Sequence, residues 1–372
     1  MMQPFVPQQL PITDVDWESL IPLIGKANRA LAHYDGVLMG VPNPNVLLSP
    51  LTTQEAVLSS RIEGTQATLG EVYRFEAGDE PTQESRRQDI GEILNYRRAL
   101  RVSEAELRTR PFNLNLLLQL HEILLDSVRG ANKARGRFRT TQNWIGSADS
   151  PIGEAAFVPP VPETLPELLD NWEKYYHSNR PDALVQLAVV HAQFEILHPF
   201  LDGNGRLGRI LIPLFLFEKQ ILHRPMFYLS GWLEARRDAY IDHLRPLGVR
   251  PGAWNRWIAF FLTGLEEQAR ANAEKARAIL HLYQRMKERV LELTRSQYGV
   301  PLLDQMFERP VFESGHLRFG KRPPTRAAIA NLLRALREAK VIMVLRAGSG
   351  RRAAIYAFAD LINLCEGKKV VG

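Results

Sequence analysis

The sequence is poor in cysteine and lacks long apolar runs. Its 372 residues include one cysteine, Cys365, which excludes a disulfide within the chain and favours a packing role in a reducing compartment. The longest fully apolar run, residues 210–217, contains a proline and is far shorter than the roughly 20 residues that cross a bilayer. The first residues show neither the basic nor the apolar region of a signal peptide. We therefore expect a cytoplasmic protein with no membrane partner.

The composition gives no sign of disorder. Hydrophobic residues make up 45% and charged residues 24% of the chain, as in globular proteins, and the length indicates two or three domains. The net charge of +6 permits binding to nucleic acid or polyphosphate without requiring it. Residues 317–352 hold ten Lys and Arg against one acid, Glu338, and so form a separate basic segment.

Helical patterns dominate the chain up to about residue 300. A helix is expected to begin after Pro50, with Thr52 or Thr53 as its N-cap, and to run to Gly64, a usual residue just past a helix end. The fold class is therefore expected to be mostly α. Apolar spacing predicts the other helices at residues 17–31, 86–101, 114–129, 165–176, 182–197, 206–219, 233–244 and 254–295.

Two regions depart from this helical pattern. Residues 138–160 contain two strand-like runs around the turn-rich residues 147–153, which predicts a β-hairpin among helices, most often a surface flap. Near the end of the chain, Thr325 caps a predicted helix that is followed by two strand-like runs across residues 348–350. This order of a helix and two strands around a small basic turn is typical of a winged helix-turn-helix.

The densest group of chemically useful residues is the stretch HPFLDGNGRLGR at residues 198–209. His198 precedes a proline at the expected end of one helix, and a second helix follows the loop. Two glycines and an asparagine in the loop tolerate the positive φ angles of a phosphate-binding nest, and the N-terminus of the next helix attracts anions. The stretch therefore predicts an anion site.

The charged side chains of this stretch suit phosphate chemistry. Asp202 can hold Mg²⁺, which commonly uses one or two carboxylates together with substrate phosphates. Arg206 and Arg209 lie on one helix face and can bracket distal phosphates. His198 can accept a proton from an attacking hydroxyl. Together these residues predict phosphoryl or nucleotidyl transfer.

The stretch resembles the signature of the Fic family, HPFx(D/E)GNGRxxR, and matches it at every position. The resemblance implies a protein adenylyltransferase that transfers AMP from ATP to a Ser, Thr or Tyr hydroxyl of a target protein or of itself. It implies His198 as the general base and Asp202 as the Mg²⁺ ligand. The cofactor-binding residues that it implies are Glu63, Gly203, Asn204, Gly205, Arg206, Leu207, Gly208, Arg209 and Tyr240.

A second motif lies upstream. Residues 59–64 read SSRIEG and resemble an inhibitory pattern of some family members, (S/T)xxxE(G/N), which places Ser59, Glu63 and Gly64 in inhibitory positions. A carboxylate just before the glycine that ends a helix opposes the helix dipole by roughly 0.3–1 kcal/mol, so Glu63 needs another partner. The resemblance implies that this partner is Arg209 and that the pair takes the place of the γ-phosphate of ATP.

The resemblance also implies domains and a target-binding element. The hairpin resembles the family's flap, which aligns a target segment by strand addition. Its residues Trp144, Ile145 and Phe157 are expected to face target or adenine. The implied domains are an N-terminal helical region with the inhibitory helix at residues 1–100, a Fic core at 101–265, a linker helix at 266–299 and a winged-helix domain at 300–372.

Several alternatives remain open. The enzyme could remove AMP or transfer another phosphate-containing group. The basic segment could bind DNA and make the chain a DNA-binding regulator, or it could serve as a docking or dimerisation surface, because winged helices are reused for all three. A homodimer could carry the inhibition across its interface. His191 lies on the same helical face as His198 and could join a metal site, although packing is the preferred role.

Overall fold

The computed structural model describes residues 3–130, 132–146, 152–320, 322–349 and 352–371. Within these residues the chain is mostly helical, which confirms the expected fold class. No helix in this described part is long and apolar enough to span a bilayer. The helices are α1 (Trp17–Met39), α2 (Pro44–Leu47), α3 (Ser49–Ile62), α4 (Leu69–Glu76), α5 (Glu84–Leu107), α6 (Leu114–Leu124), α7 (Leu165–His177), α8 (Ala183–Leu197), α9 (Asn204–Glu218), α10 (Ser230–Ala235), α11 (Arg237–Leu244), α12 (Ala253–Thr294), α13 (Gly299–Glu308), α14 (Arg326–Glu338) and α15 (Ala359–Glu366). The strands are β1 (Val311–Glu313), β2 (Met343–Arg346) and β3 (Ile355–Ala357).

The chain divides into two compact units. The first comprises residues up to Asp35, residues 58–64 and residues 95–270, and the second comprises the remaining residues. Both motifs of the sequence, residues 59–64 and residues 198–209, therefore belong to the first unit. The four consecutive domains expected from the sequence stay a prediction.

Helix α8 packs against α7 and α9 in the first unit. Its sequence is apolar on every side, so nearly all of its residues are buried. The indole N–H of Trp172 in α7 donates a hydrogen bond to the Val190 carbonyl of α8 (2.9 Å). The indole N–H of Trp257 in α12 donates to the Ala188 carbonyl (2.8 Å). Buried tryptophans need such partners, and these two bonds tie α8 to its neighbours.

Helix α3 begins earlier than predicted. It starts at Ser49, and Thr53 lies inside it with its hydroxyl donating to the Ser49 carbonyl (3.2 Å), so the expected N-cap at Thr52 or Thr53 is wrong. The proline that follows Ser49 is tolerated because the N–H groups of a first turn have no acceptor within the helix. Helix α3 ends at Ile62, and Gly64 has a φ of 102°, as expected for a residue past a helix end.

Several other helix boundaries differ from the prediction. Helices α1 and α5 continue to Met39 and Leu107, past the predicted ends at residues 31 and 101, whereas α6 ends at Leu124 and not at residue 129.

Two predicted helices after residue 200 also differ. Helix α9 begins at Asn204, earlier than the predicted start at residue 206, so the second half of the motif loop forms its first turn. The predicted helix at residues 233–244 consists of two helices, α10 and α11, which meet at Arg236.

The predicted hairpin is reduced to one antiparallel bridge. Ile145 and Phe157 pair through N–H···O bonds of 2.8 and 3.1 Å. A 3-10 turn, Ile152–Glu154, precedes the returning segment. Most of the predicted tip, residues 147–151, lies outside the described residues. The two regular strands expected on either side of the tip are not formed in the described part of the hairpin.

The second unit holds a three-stranded antiparallel sheet in the order β1–β3–β2. Thr325 caps α14 as predicted, with its hydroxyl accepting the Ala328 N–H (3.2 Å). The sequence analysis missed α13 and β1, which precede α14, and also α4 and α15. Between β1 and α14 the described residues form a single 3-10 turn, Ser314–His316. The winged-helix assignment therefore stays a prediction.

Candidate active site

His198 occupies the C-cap of α8 in a strained backbone conformation. Its φ of 45° lies in the left-handed region, which residues other than glycine rarely adopt. The His198 carbonyl accepts a hydrogen bond from Arg139 Nε (3.0 Å), and the Arg139 guanidinium also donates to the Pro160 carbonyl. Arg139 thus ties the end of the hairpin to the turn that holds His198. The sequence analysis missed Arg139, because a single buried arginine with backbone partners leaves no pattern in the sequence.

The imidazole of His198 is neutral near pH 7. Burial lowers its pKa to about 4, although the Glu195 carbonyl and the Glu63 and Asp202 carboxylates act in the opposite direction. A neutral imidazole keeps a lone pair that can accept a proton. His198 therefore has the protonation state that the predicted general base needs.

The loop after His198 is held by a side chain that points back into it. Asn204 accepts the Phe200 N–H at Oδ1 (2.9 Å) and donates from Nδ2 to the Phe200 carbonyl (2.8 Å). Gly203, with a φ of 79°, is the N-cap of α9. Because the Asn204 amide is engaged within the loop, its predicted phosphate contact would come from its backbone N–H.

A second histidine supports the same loop. His121 in α6 accepts the Gly136 N–H at Nδ1 (2.9 Å), so its other nitrogen carries the proton and donates to the Asp202 carbonyl (3.1 Å). Its ring stacks on Phe200 with 3.9 Å between the ring centroids. Burial lowers the pKa of His121 to about 4, which preserves this hydrogen-bond pattern at neutral pH. The sequence analysis missed His121, which lies far from the motif in the sequence.

The side chains of Asp202 and Arg206 meet at the start of α9. Arg206 Nη2 lies 3.3 Å from Asp202 Oδ1, and the Asp202 side chain is 40% exposed. Among the residues with described positions, no three His, Cys, Asp or Glu side chains form a group that could hold a metal ion. One open carboxylate suits Mg²⁺, which takes most of its ligands from water and phosphates. Asp202 therefore fits the predicted ligand, and binding of the ion stays a prediction.

Leu207 and Gly208 pack behind the loop. The Leu207 side chain is fully buried, and its N–H donates to the Gly203 carbonyl (3.1 Å). A Cβ on Gly208 would clash with Glu195 Oε1, so this glycine allows α8 and α9 to approach closely. The contact of Leu207 and Gly208 with the cofactor stays a prediction.

His191 and Tyr240 form a buried hydrogen-bonded chain. The His191 ring donates from Nδ1 to the Gly208 carbonyl (3.1 Å), because a carbonyl can only accept. Its Nε2 then accepts the proton of the Tyr240 hydroxyl (2.9 Å). With both ring nitrogens engaged, His191 has a packing role rather than a metal-binding one. Tyr240 also lines the cavity that contains His198, and its contact with adenine stays a prediction.

Glu63 and Arg209 form an ion pair, as predicted. Arg209 Nη2 donates to Glu63 Oε1 at 2.6 Å, although the two residues are 146 positions apart. Arg209 Nε donates to the Ser59 hydroxyl (2.8 Å), and Nη2 also donates to the Ser59 carbonyl (3.0 Å). The Arg209 side chain is only 2% exposed, so these partners replace water around it. Ser59 therefore belongs to the same contact as Glu63.

Burial and pairing have opposite effects on this ion pair. Burial alone would raise the pKa of the Glu63 carboxyl, but Arg209, together with smaller effects that include Arg206, lowers that pKa overall. Burial alone would lower the pKa of the Arg209 guanidinium, but Glu63, together with smaller effects of neighbouring tyrosines and Glu195, raises that pKa overall. Both groups therefore stay charged at neutral pH, and their attraction holds the end of α3 against α9.

The Glu63 carboxylate covers the first turn of α9. A Cβ placed on Gly205 would clash with Glu63 Oε1 and lie 3.0 Å from Arg209 Nη1. The carboxylate thus lies directly beside Gly205 in the first turn of this helix. The cavity beside it has a volume of about 500 Å³, and its lining includes Glu63, Ile145, Phe157, Glu195, His198, Gly205, Arg209 and Tyr240.

Glu195 is an acid of this cavity that the sequence analysis missed. Its Oε1 atom is shielded from solvent and has no hydrogen-bond partner within the described part of the chain. Burial raises its pKa to about 7, against the attraction of Arg209. Glu195 therefore carries only part of a negative charge near neutral pH. Its position within an apolar helix gave no sign of a role.

Known proteins resemble this chain in sequence and in fold. The model of the Fic/DOC family N-terminal domain matches residues 21–104, and the model of the Fic/DOC family domain matches residues 111–216. A crystal structure of a Fic family protein from Desulfovibrio desulfuricans G20 superposes with a TM-score of 0.57 at 19% identity. The superposition covers 96% of this chain and 98% of that one, and it shows a shared fold.

Two curated relatives are named protein adenylyltransferases. A probable protein adenylyltransferase of Aquifex aeolicus is 27% identical over 195 residues, which cover 52% of this chain and 56% of the relative. Protein adenylyltransferase fic-1 of Caenorhabditis briggsae is 28% identical over 199 residues, which cover 51% of this chain and 36% of the relative. The chain thus spans between about a third and somewhat over half of the length of these relatives. With its two matching domains and its intact signature, the chain belongs to the Fic/DOC family.

Proposed function

We propose that this chain is a protein adenylyltransferase that moves AMP from ATP to a Ser, Thr or Tyr hydroxyl of a target protein or of itself. The observation that carries the proposal is one cavity that contains a neutral His198, the first turn of α9 and Arg209. They supply a base, an anion site and a cation, which are the groups that nucleotidyl transfer needs. The names of the relatives support the same activity.

In the proposed reaction, His198 accepts the proton of the attacking hydroxyl. The hydroxyl oxygen then forms a bond to the α-phosphorus of ATP, and the bond from that phosphorus to the bridging oxygen breaks, so that pyrophosphate leaves. The first N–H groups of α9, at Asn204 and Gly205, have no acceptor within the helix and would hold the phosphates. Asp202 would hold Mg²⁺, which when bound neutralises phosphate charge.

Glu63 would keep this site inactive. Its carboxylate pairs with Arg209 and lies against Gly205, so the distal phosphates of ATP would meet a negative charge and lose a positive one. ATP bound beside Glu63 would then have its α-phosphate out of line with the attacking hydroxyl, and an in-line displacement requires that alignment. Release of Glu63 from Arg209 would restore the alignment.

The hairpin would present the target segment. Trp144 and Ile145 are 42% and 39% exposed, unusual values for large apolar side chains, and Phe157 pairs with Ile145 at the cavity. An extended target segment could add its backbone hydrogen bonds to this bridge, a mode that reads backbone more than side chains. The proposed substrate class is therefore an exposed loop that carries a hydroxyl.

The test uses ATP labelled at either the α- or the γ-phosphate. The Glu63→Gly variant is expected to label itself and lysate proteins at least about tenfold more than the wild type, and from the α-label alone, because its Arg209 has no carboxylate partner. A tenfold increase corresponds to a barrier lower by about 1.4 kcal/mol. The double variant Glu63→Gly/His198→Ala should label nothing. Arg61→Gly is the matched control, since it loosens the same helix end without touching Arg209.

The outcomes separate the proposal from the open alternatives. Label from the γ-phosphate, or a peptide mass that corresponds to added phosphate, would indicate a different group transfer. Release of AMP from a pre-labelled protein on addition of the wild type, without ATP or pyrophosphate, would indicate hydrolytic removal of AMP, with water attacking the phosphorus and the protein hydroxyl leaving. Equal labelling by the wild type and Glu63→Gly would reject inhibition by Glu63 but leave the transfer activity in place.

A further inference from the structure

Helix α14 in the second unit has a buried face and an exposed basic face. Leu332, Leu333 and Leu336 are buried. Successive residues of an α-helix are about 100° apart, so side chains at intervals of three, four, eight and eleven residues share a face. Four exposed residues lie within about 80° of one another around the helix axis, and we call their surface the basic face. They are Arg326, Ala330, Arg334 and Arg337.

The three arginines of the basic face lack compensating charges. No carboxylate lies within 4.0 Å of any of them in the part of the chain with described positions, and Glu338, one turn from Arg334, is not paired with it. Elsewhere in the second unit Arg346 does find an acid, Asp79, at 3.2 Å. A face with three uncompensated positive charges attracts an anionic partner.

We propose that the basic face of α14 binds duplex DNA by lying in the major groove. A helix with its side chains is about 10–12 Å wide, and the groove is about 12 Å wide. The face extends from Arg326 to Arg337, about 16 Å at 1.5 Å per residue. The small side chain of Ala330 allows the helix backbone to approach the base edges between the arginines. Arginine is suited both to guanine edges and to phosphates, and Asn331 beside the face is suited to adenine.

Other anionic partners fit this face less well. A membrane surface would require large apolar side chains on the same helix, whereas the residues beside the arginines are alanine and asparagine. A protein interface usually has large side chains in well-packed pockets at its centre, and Ala330 at the centre of this face offers very little surface.

The test measures the affinity of the full-length chain, without ATP, for a short labelled duplex of random sequence at several salt concentrations. The triple variant Arg326→Ala/Arg334→Ala/Arg337→Ala is expected to bind at least about tenfold more weakly. The negative slope of log affinity against log salt should become shallower by about 2–3. The matched control is Arg29→Ala/Arg250→Ala/Arg285→Ala, which removes the same charge from exposed arginines elsewhere. This control should stay within about twofold of the wild type.

Each other outcome overturns the proposal. Equal weakening in the two triple variants would show that general charge attraction holds the DNA. Competition by polyglutamate at the same charge concentration, as strong as that by unlabelled duplex, would point to an acidic protein instead. Alanine favours helices, so α14 should stay folded, and a circular dichroism melt of the triple variant checks this. The absence of ATP makes the result independent of the proposed transfer activity.

Discussion

The carboxylate of Glu63 accepts a 2.6 Å hydrogen bond from the Arg209 guanidinium, which has almost no contact with solvent. Helix α3 ends directly before Glu63, so its terminal carbonyl groups repel the carboxylate. Arg209 compensates for this repulsion, and Glu63 in turn supplies the only anion that the buried guanidinium contacts by a hydrogen bond among the described residues. The two residues therefore depend on each other for stability as well as for the proposed inhibition.

Replacement of Glu63 by glycine should make the protein depend on nucleotide for stability. Without nucleotide, the free energy of unfolding should fall by about 1–3 kcal/mol, because the buried Arg209 guanidinium loses a hydrogen-bond acceptor. ATP restores an anion, so it should raise the melting temperature of Glu63→Gly more than that of the wild type. Thermal denaturation with and without ATP measures both effects. Arg61→Gly serves as the control and should respond to ATP as the wild type does. An equal response from Glu63→Gly would contradict the proposal that the Glu63 carboxylate and a phosphate of ATP occupy the same place beside Arg209.

Two neighbouring serines allow a matched comparison. Ser59 and Ser60 are both fully buried, but the Ser59 hydroxyl accepts from Arg209 Nε (2.8 Å), whereas the Ser60 hydroxyl has no hydrogen-bond partner in the described structure. Ser59→Ala should lower the free energy of unfolding by about 1–2 kcal/mol, because it leaves a buried N–H unsatisfied. It should also raise self-labelling, by less than Glu63→Gly does, because the carboxylate remains. Ser60→Ala should leave self-labelling unchanged and should not lower the free energy of unfolding, because the Ser60 hydroxyl has no hydrogen bond to lose within the described structure. Equal effects from both serines would mean that the bond from Arg209 to Ser59 contributes nothing.

The sequence predicted the chemistry because the relevant residues are contiguous. In a contiguous stretch such as residues 198–209, the distances between side chains follow from the sequence itself. Glu63 was expected to have a partner because a carboxylate at a helix end is unfavourable by itself. A long helix such as α12, whose apolar residues recur at helical spacing, was also predictable. Helix α4 was missed although Thr68 and Glu71 form a capping box, with the Thr68 N–H donating to the Glu71 carboxylate (2.7 Å).

The supporting residues could not be predicted in the same way. His121 and Arg139 donate hydrogen bonds to the backbone carbonyls of Asp202 and His198. Every residue has a backbone carbonyl, so the sequence does not mark which ones are used. Which carbonyl they reach depends on how distant helices pack. The pKa of Glu195 likewise results from burial, which only the folded chain defines.

Replacement of Gly130 by alanine should disturb the proposed Mg²⁺ site. Gly130 has a φ of 82°, and a Cβ there would clash with Asp202 Oδ2. In the Glu63→Gly background, Gly130→Ala should reduce labelling by about tenfold or more and raise the Mg²⁺ concentration needed for half-maximal labelling. It should also cost about 1 kcal/mol of stability because of the positive φ.

The control for this substitution is Gly25→Ala in α1, where a Cβ would have no atom within 4 Å. Alanine should stabilise that helix slightly and leave labelling unchanged. A Gly130→Ala variant that labels more weakly with an unchanged Mg²⁺ requirement would argue against Asp202 as the ligand.

Replacement of Glu195 by glutamine should stabilise the protein only at higher pH. The folded state holds the Glu195 proton up to a pKa of about 7, whereas the unfolded chain releases it near 4.5, so stability is lost as the pH rises through this interval. Glutamine cannot ionise and avoids this loss. The gain in the free energy of unfolding should approach its full size above pH 7 and vanish below pH 4.5. The full size is at most about 3.5 kcal/mol, at about 1.4 kcal/mol per pKa unit. Urea denaturation of both proteins across this range measures the difference, and Glu274→Gln, at an exposed position of α12, is the control. A gain of equal size at both ends of the range would mean that Glu195 acts through packing and not through its charge.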